Sequence, residues 1–115
     1  LALAKVMVSN PDILLLDEPT KGLDPFFKQT LGRILRRLCK ENKTIFMVSH
    51  DIEFCAEFGD RCSMFFDGEI ATSGSAKEFF SGNNFYTTVE NKLTRKWCEG
   101  IITGEEARTW IRSLL

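Results

Sequence analysis

The twelve residues 13–24, ILLLDEPTKGLD, decide how this chain is interpreted. Four apolar residues lead directly into Asp17 and Glu18, and a proline and a threonine follow them. A short apolar run between turn signals is typical of a strand buried on both faces of a parallel sheet. Open α/β sheets bind their ligands at the carboxyl ends of such strands. The stretch therefore predicts a buried strand that delivers two carboxylates to a ligand-binding edge.

A helix and a second strand are predicted after this run. Asp24 followed by Pro25 is typical of a helix start, and apolar residues recur at helical spacing from there to about Cys39. Residues 44–49, TIFMVS, are rich in β-branched and aromatic side chains, which predicts a strand that ends next to His50. Strand, helix and strand in this order form a βαβ unit, whose two strands run parallel.

Beyond this unit the pattern changes to a hairpin. A short helix that reaches Phe58 is predicted first, with Ser49 or Asp51 as its N-cap. The runs RCSMFF and EIATS then flank Asp67-Gly68, a pair that accepts the positive φ angles of a tight turn. We therefore expect two antiparallel strands here.

Two capping boxes predict helices in the remainder of the chain. Ser75 with Glu78 opens one short helix, and Thr103 with Glu106 opens an amphipathic final helix. Residues 81–84 are expected to form a loop, and the segment between that loop and the final helix shows no regular pattern.

Composition sets broad limits on the function. The 115 residues suffice for one domain, and a net charge of -1 with 43% hydrophobic residues is ordinary for a globular protein. No apolar run reaches the length that spans a bilayer. Basic residues follow one side of the helix after Pro25; they are interpreted as a solvated face, with a nucleic-acid surface as the alternative.

The acidic pair suits the hydrolytic half of a nucleoside-triphosphate site. Neighbouring residues in an extended chain point in different directions, so Asp17 and Glu18 can serve two purposes. Magnesium prefers one or two carboxylates together with water and phosphate oxygens, which suits Asp17, whereas Glu18 can polarise an attacking water. The alternative is that DEP only ends a strand and starts a turn.

Three motifs in register support the first interpretation. LLLDEPT, KGLD and a strand that ends at His50 resemble, in order and spacing, the ATPase subunits of ABC transporters. The resemblance implies that Asp17 ends the Walker B motif and holds Mg²⁺ through water, and that Glu18 is the catalytic glutamate. KGLD, which ends in the nucleotide-binding Asp24, would be the D-loop that faces a partner subunit. His50 would be the catalytic switch histidine at the γ-phosphate, and the implied cofactors are ATP and Mg²⁺.

The resemblance also predicts the fold class and the division of the chain. The fold is expected to be α/β, an incomplete P-loop NTPase (ABC ATPase) parallel sheet flanked by helices, with a β-hairpin and a C-terminal helical tail. Residues 1–80 would be the C-terminal part of the ATPase domain and residues 81–115 a tail. The sequence contains neither the phosphate-binding G-x-x-x-x-G-K-[ST] motif nor the LSGGQ signature. We therefore expect a fragment of a longer protein, inactive alone, whose incomplete sheet favours swapping or aggregation.

One subgroup of the family is the most similar, the energy-coupling-factor ATPases, which drive the uptake of vitamins and metal ions. The similarity lies in DEPTKGLD and in the tail segments FFSGNNFYTT and ENKLTR. The subgroup includes tandem ATPases, and the chain would then be the end of their second half. This subgroup implies a second ATPase domain in a head-to-tail dimer and a transmembrane coupling subunit as partners. It implies no nucleic acid, and a peripheral location on the cytoplasmic face of the cell membrane. NNFYTT is either a surface loop with an aromatic anchor or a contact with the partner ATPase or the transmembrane coupling subunit. The alternative functions are a non-catalytic interaction module and a non-transport ATPase of the same superfamily.

Overall fold

The computed structural model describes residues 2–82 and 87–115. Its contacts divide the chain into two units, Leu1–His50 and Asp51–Leu115. The division follows directly after the second predicted strand, so the predicted βαβ unit lies entirely in the first unit.

The first unit is the predicted βαβ unit, preceded by a short helix. Its elements are α1 (Ala2–Val8), β1 (Ile13–Asp17), α2 (Pro25–Lys40) and β2 (Thr44–Val48). β1 and β2 pair in parallel, and Leu15 lies opposite Phe46 in the register. The parallel sheet predicted from the sequence is therefore confirmed, as a pair of strands.

Helix α2 begins where the sequence predicts. Asp24 is its N-cap, and the Asp24 carboxylate accepts a hydrogen bond of 3.0 Å from the backbone N–H of Phe27. Pro25 occupies the first helical position. A backbone N–H at that position has no acceptor within the helix, so the proline costs the helix no hydrogen bond. Leu35 and Leu38 are buried, so this face of the helix packs inward.

The prediction that β1 is buried on both faces is wrong for this structure. Leu14 is 2% exposed, but Ile13 and Leu15 on the other face of the strand are 59% and 78% exposed. Their neighbours on β2, Phe46 and Val48, are exposed as well. Since α2 contacts the sheet from one side, only alternate residues of each strand are covered in the described part of the unit.

The second unit contains the hairpin and four helices that the structure describes. They are α3 (Ile52–Phe58), β3 (Arg61–Phe66), β4 (Glu69–Ser75), α4 (Ala76–Gly82), α5 (Val89–Thr94) and α6 (Gly104–Leu114). β3 and β4 are antiparallel, and Asp67 and Gly68 have φ angles of 51° and 82°. The predicted hairpin and its turn are confirmed.

The core of the second unit lies between α3, α4 and the residues before α6. Ala56, Ala76, Phe80 and Ile102 form one buried cluster. Helix α5 is bound to the segment before α6 through Asn91. The buried side-chain amide of Asn91 donates a hydrogen bond of 3.0 Å to the carbonyl of Ile101. This bond stabilises the tail because an unpaired buried amide would be costly.

Two expectations for the tail need correction. Ser81 and Gly82 lie in the last turn of α4 rather than in a loop. The segment without a predicted pattern contains α5, whose N-cap Thr88 accepts a hydrogen bond from the backbone N–H of Asn91. Residues 83–86, which are the first four residues of NNFYTT and include the last two of the predicted loop, fall outside the described residues. The partner contact proposed for NNFYTT stays a prediction.

Within the part of the chain that the structure describes, no helix combines the length and the apolar character needed to cross a membrane.

Candidate functional site

The predicted acidic pair and the predicted histidine meet at the carboxyl ends of β1 and β2. Asp17 is the last residue of β1 and lies opposite Val48, the last residue of β2. The backbone N–H of Glu18 donates a hydrogen bond of 2.8 Å to the carbonyl of Val48, so the pairing continues one residue beyond β1. His50 follows two residues after Val48. Parallel pairing thus brings together two segments that are 32 residues apart in sequence.

The backbone of Glu18 adopts an unusual conformation. Its φ angle is 45°, in the left-handed region that non-glycine residues rarely occupy. A residue with a Cβ atom costs roughly 1–2 kcal/mol in this conformation. Such residues concentrate at functional sites, where the surrounding structure holds them in place. The conformation turns the chain sharply at the point where the strand ends.

The carboxylate of Glu18 is held by the backbone of His50. The His50 N–H lies 3.1 Å from Oε1 and 3.4 Å from Oε2 of Glu18, so one donor serves both oxygens. An ionised carboxylate makes a stronger hydrogen bond of this kind than a neutral acceptor does. Glu18 is therefore fixed at both its backbone and its carboxylate.

The imidazole of His50 is in a different situation from its backbone. Its Nε2 lies 3.6 Å from Oε1 of Glu18, and its side chain is 97% exposed against 27% for Glu18. At that distance the contact is an ion pair only when the imidazole is protonated. The imidazole is consequently accessible to a ligand at this edge of the sheet, whereas the carboxylate beside it is mostly covered.

Two tight turns connect the acidic pair to α2. The N–H of Lys21 donates to the carbonyl of Glu18 at 3.0 Å, and the N–H of Leu23 donates to the carbonyl of Thr20 at 3.1 Å. Gly22 has a φ angle of 77°, a conformation that a glycine adopts without steric cost. The KGLD segment is thus a compact turn between the strand end and the N-cap of α2.

The four sequence-predicted site residues do not all converge. Glu18 and His50 contact each other, and Asp17 is adjacent on the exposed end of β1. Asp24 is engaged elsewhere, because its carboxylate caps α2 through Phe27. Asp24 therefore has a structural use that does not depend on a nucleotide.

The residues present fit a magnesium ion held by a single carboxylate. Asp17 offers an exposed carboxylate at the strand end. Nowhere in residues 2–82 and 87–115 do three or more His, Cys, Asp or Glu side chains gather as a metal cage would require. Magnesium commonly keeps several waters and takes only one or two protein carboxylates together with phosphate oxygens. Asp17 is thus suited to a metal that arrives with a phosphate ligand.

The sequence did not reveal how Glu18 is positioned. Neither its left-handed backbone nor its bond to the His50 N–H follows from residue types, because both depend on the register between β1 and β2. A glycine or asparagine at position 18 would have signalled the conformation, but a glutamate gives no such signal.

Comparisons with known proteins agree with these motifs. The chain is 51% identical over 106 residues to a putative ABC transporter ATP-binding protein of Bacillus thuringiensis, a match that covers 92% of this chain and 19% of the relative. It is 39% identical over 84 residues to an energy-coupling factor transporter ATP-binding protein, EcfA3, of Oenococcus oeni, with 73% of this chain and 29% of the relative covered. No family model matches the chain.

A solved structure extends the likeness to three dimensions. The structure of cbiO1 from Clostridium perfringens, described as part of the ABC transporter complex cbiONQ, aligns with a TM-score of 0.66 at 30% identity. The alignment covers 84% of this chain and 37% of cbiO1. The chain thus spans about a fifth of the length of the first curated relatives and over a third of this structural neighbour. Over the region that aligns, the chain belongs to the family of ABC transporter ATP-binding proteins.

Proposed function

We propose that this chain supplies the water-activating half of an ATP-hydrolysing site in a longer subunit that energises an ABC-type importer. The observation that carries the proposal is the convergence of Glu18 and His50 at the end of a parallel strand pair, directly beside Asp17. The energy-coupling factor transporter relative supports a transporter of that type. Import of vitamins or metal ions is part of the proposal.

Each residue at the strand ends has a proposed role that suits its chemistry. Asp17 would hold Mg²⁺ through water, and the ion would neutralise the charge that develops on the phosphates. Glu18 would orient and polarise the attacking water, a contribution of roughly a hundred- to ten-thousand-fold. His50, with its exposed imidazole, would contact the γ-phosphate, because a neutral imidazole can donate one hydrogen bond and accept another. Asp24 would hold the KGLD turn at the start of α2, through the hydrogen bond that its carboxylate accepts from Phe27.

The same proposal explains why the chain should be inactive by itself. Phosphoryl transfer depends mainly on positioning and charge stabilisation, and the sequence holds no glycine-rich loop with the lysine that cradles phosphates. Asp17, Glu18 and His50 would then lack a positioned substrate. The partners would be a second ATPase domain and a transmembrane coupling subunit, with the protein peripheral on the cytoplasmic face of the membrane.

A chimera tests the function directly. In it, the matching segment of Clostridium perfringens cbiO1 is replaced by this chain, and ATP hydrolysis is measured with and without Mg²⁺. We expect magnesium-dependent turnover that falls by about a hundredfold or more in the Glu18→Gln variant, because the variant keeps the shape of the side chain and loses the general base. The 115-residue chain alone is expected to show only background hydrolysis.

The controls separate loss of fold from loss of chemistry. Far-ultraviolet circular dichroism should show the same helix content in the chimera and its Glu18→Gln variant. A folded chimera without turnover, or one that Glu18→Gln leaves fully active, would contradict the proposed role of Glu18. Magnesium-dependent turnover by the isolated chain would contradict its proposed dependence on further segments.

The sequence that precedes Leu1 in the gene distinguishes the remaining alternatives. A phosphate-binding loop and an LSGGQ signature upstream would support the importer subunit. A long coiled coil there would favour a non-transport ATPase of the same superfamily, and a natural start at Leu1 would favour a non-catalytic interaction module.

A further inference from the structure

We propose that the backbone N–H of His50 is a positioning group for the Glu18 carboxylate, so that the end of β2 sets the direction in which the proposed general base points. The catalytic meaning of this inference rests on the proposed function, whereas its structural part does not. Position 50 would thus contribute twice, through an imidazole directed at substrate and through a backbone donor directed at Glu18.

The backbone N–H of His50 contacts both oxygens of the Glu18 carboxylate. A single N–H lies 3.1 Å and 3.4 Å from the two carboxylate oxygens of Glu18. Because this donor belongs to the backbone that continues from β2, it cannot rotate away as a side-chain donor can. The imidazole, by contrast, is almost fully exposed and free to leave the carboxylate without disturbing the backbone bond.

The backbone of Glu18 is itself held by the β2 segment. Its φ angle of 45° carries an energetic cost, and such a conformation persists only where surrounding interactions fix it. Two interactions with the β2 segment do so: the Glu18 N–H bonds to the carbonyl of Val48, and the Glu18 carboxylate bonds to the N–H of His50. Both contacts from β2 act on Glu18: one binds its backbone N–H and the other binds its side-chain carboxylate.

The pairing couples the position of Glu18 to the end of β2. Since Glu18 is bound at two points to the segment that leaves β2, a displacement of that segment must move the carboxylate as well. A ligand that displaces the backbone at the end of β2 would therefore also reposition the carboxylate that is proposed to activate water. No additional residue is needed for this coupling.

Hydrogen exchange of the residue 50 amide tests the structural part in the 115-residue chain. We expect the Glu18→Ala variant to exchange this amide about tenfold faster than the wild-type chain, because it loses a hydrogen bond to a charged acceptor. Glu18→Gln, which keeps a side-chain oxygen as acceptor, should restore part of the protection. Asp17→Ala is the matched control, since it removes the neighbouring carboxylate and leaves the acceptor for His50 in place.

The amides of Phe46 and Val48 report whether β2 remains paired in each variant. An amide at residue 50 that exchanges at the wild-type rate in Glu18→Ala, with β2 still protected, would overturn the inference. Equal acceleration in Asp17→Ala and Glu18→Ala would also overturn it, because it would show a general effect of charge. If β2 loses protection in Glu18→Ala, exchange of the residue 50 amide is compared between Glu18→Gln and Asp17→Ala instead. We expect this amide to exchange faster in Glu18→Gln, and equal rates would overturn the inference.

The chimera tests the catalytic part. His50→Ala keeps the backbone N–H, whereas His50→Pro removes it, and both variants remove the imidazole. We expect kcat to be about tenfold lower in His50→Pro than in His50→Ala, with KM unchanged. Equal kcat values in the two variants, both folded, would contradict the positioning role. A chimera that hydrolyses no ATP would instead count against the proposed function, and the exchange result would still decide the structural part.

Discussion

Glu53 shows how a single carboxyl group can make stability depend on pH. Burial raises the pKa of Glu53 above its ordinary value of 4.5, and the negative charges of Glu90 and Asp51 raise it further. A hydrogen bond from the N–H of Val89, at 3.2 Å from Oε1, acts in the opposite direction. Among the residues that the structure describes, the buried Oε2 of Glu90 has no hydrogen-bond partner. Two acidic groups thus share a small space where α3 approaches α5.

The direction of the resulting pH dependence follows from linkage. A carboxyl group with a raised pKa in the folded state stabilises the fold fully below its unfolded pKa. This contribution is lost as the pH rises through the folded pKa, so it declines above about 4.5 for Glu53.

We predict that Glu53→Gln raises the free energy of unfolding at pH 7 and has a smaller effect at pH 4. The amide removes one negative charge near Glu90 and keeps an oxygen to accept the bond from Val89. Urea denaturation midpoints at the two pH values measure the effect. Glu69→Gln, on the exposed part of β4, is the matched control and should change neither midpoint. A stabilisation by Glu53→Gln that is equal at both pH values would contradict the prediction.

At the scale of elements, local signals predicted more than long-range ones. The caps of α2 and α6 and the turn of the hairpin depend on residues a few positions apart, and all three were predicted. The two-sided burial of β1 depends on what covers its second face, and the prediction failed there. Helix α5 has six residues and was missed, because so short a helix shows little periodicity. Its cap at Thr88 was the signal that could have located it.

The capping box of α4 should be measurable in stability. Ser75 and Glu78 exchange hydrogen bonds of 3.2 Å and 3.0 Å between side chain and backbone, at the start of the helix that carries the buried Phe80. We predict that Ser75→Ala lowers the free energy of unfolding by about 1 kcal/mol. Urea denaturation monitored by circular dichroism measures the loss.

Ser81→Ala is the matched control for this change. The hydroxyl of Ser81 donates to the carbonyl of Lys77 within the same helix and caps no N-terminus. Because alanine has the higher helix propensity, this variant should be neutral or slightly more stable. Equal losses in the two variants would show that the serine at position 75 does not act as a cap.

For the whole molecule, the exposed apolar face of the β1–β2 sheet is the feature with the clearest consequence. This sheet face is formed by Ile13, Leu15, Phe46 and Val48, which are between 59% and 78% exposed. A contiguous apolar patch on a protein surface favours association with other proteins or with copies of itself. In residues 2–82 and 87–115 this sheet has two strands, and their unpaired outer edges add a second route to association.

We predict that the 115-residue chain self-associates at micromolar concentration, and that Leu15→Lys reduces the association. Size-exclusion chromatography with light scattering measures the mass of the particles. Leu115→Lys is the matched control, because Leu115 is fully exposed and lies far from the sheet in sequence. A wild-type chain that elutes as a well-dispersed monomer would contradict the prediction, as would an equal effect of the two lysine substitutions.

The left-handed backbone at Glu18 has a consequence for how this sequence can change over time. Glycine or asparagine would occupy that conformation at lower cost, so selection for thermal stability favours replacing the glutamate. Only a requirement for the carboxylate itself opposes that drift. Position 18 is therefore a place where a lineage that no longer needs the carboxylate would show its first tolerated changes.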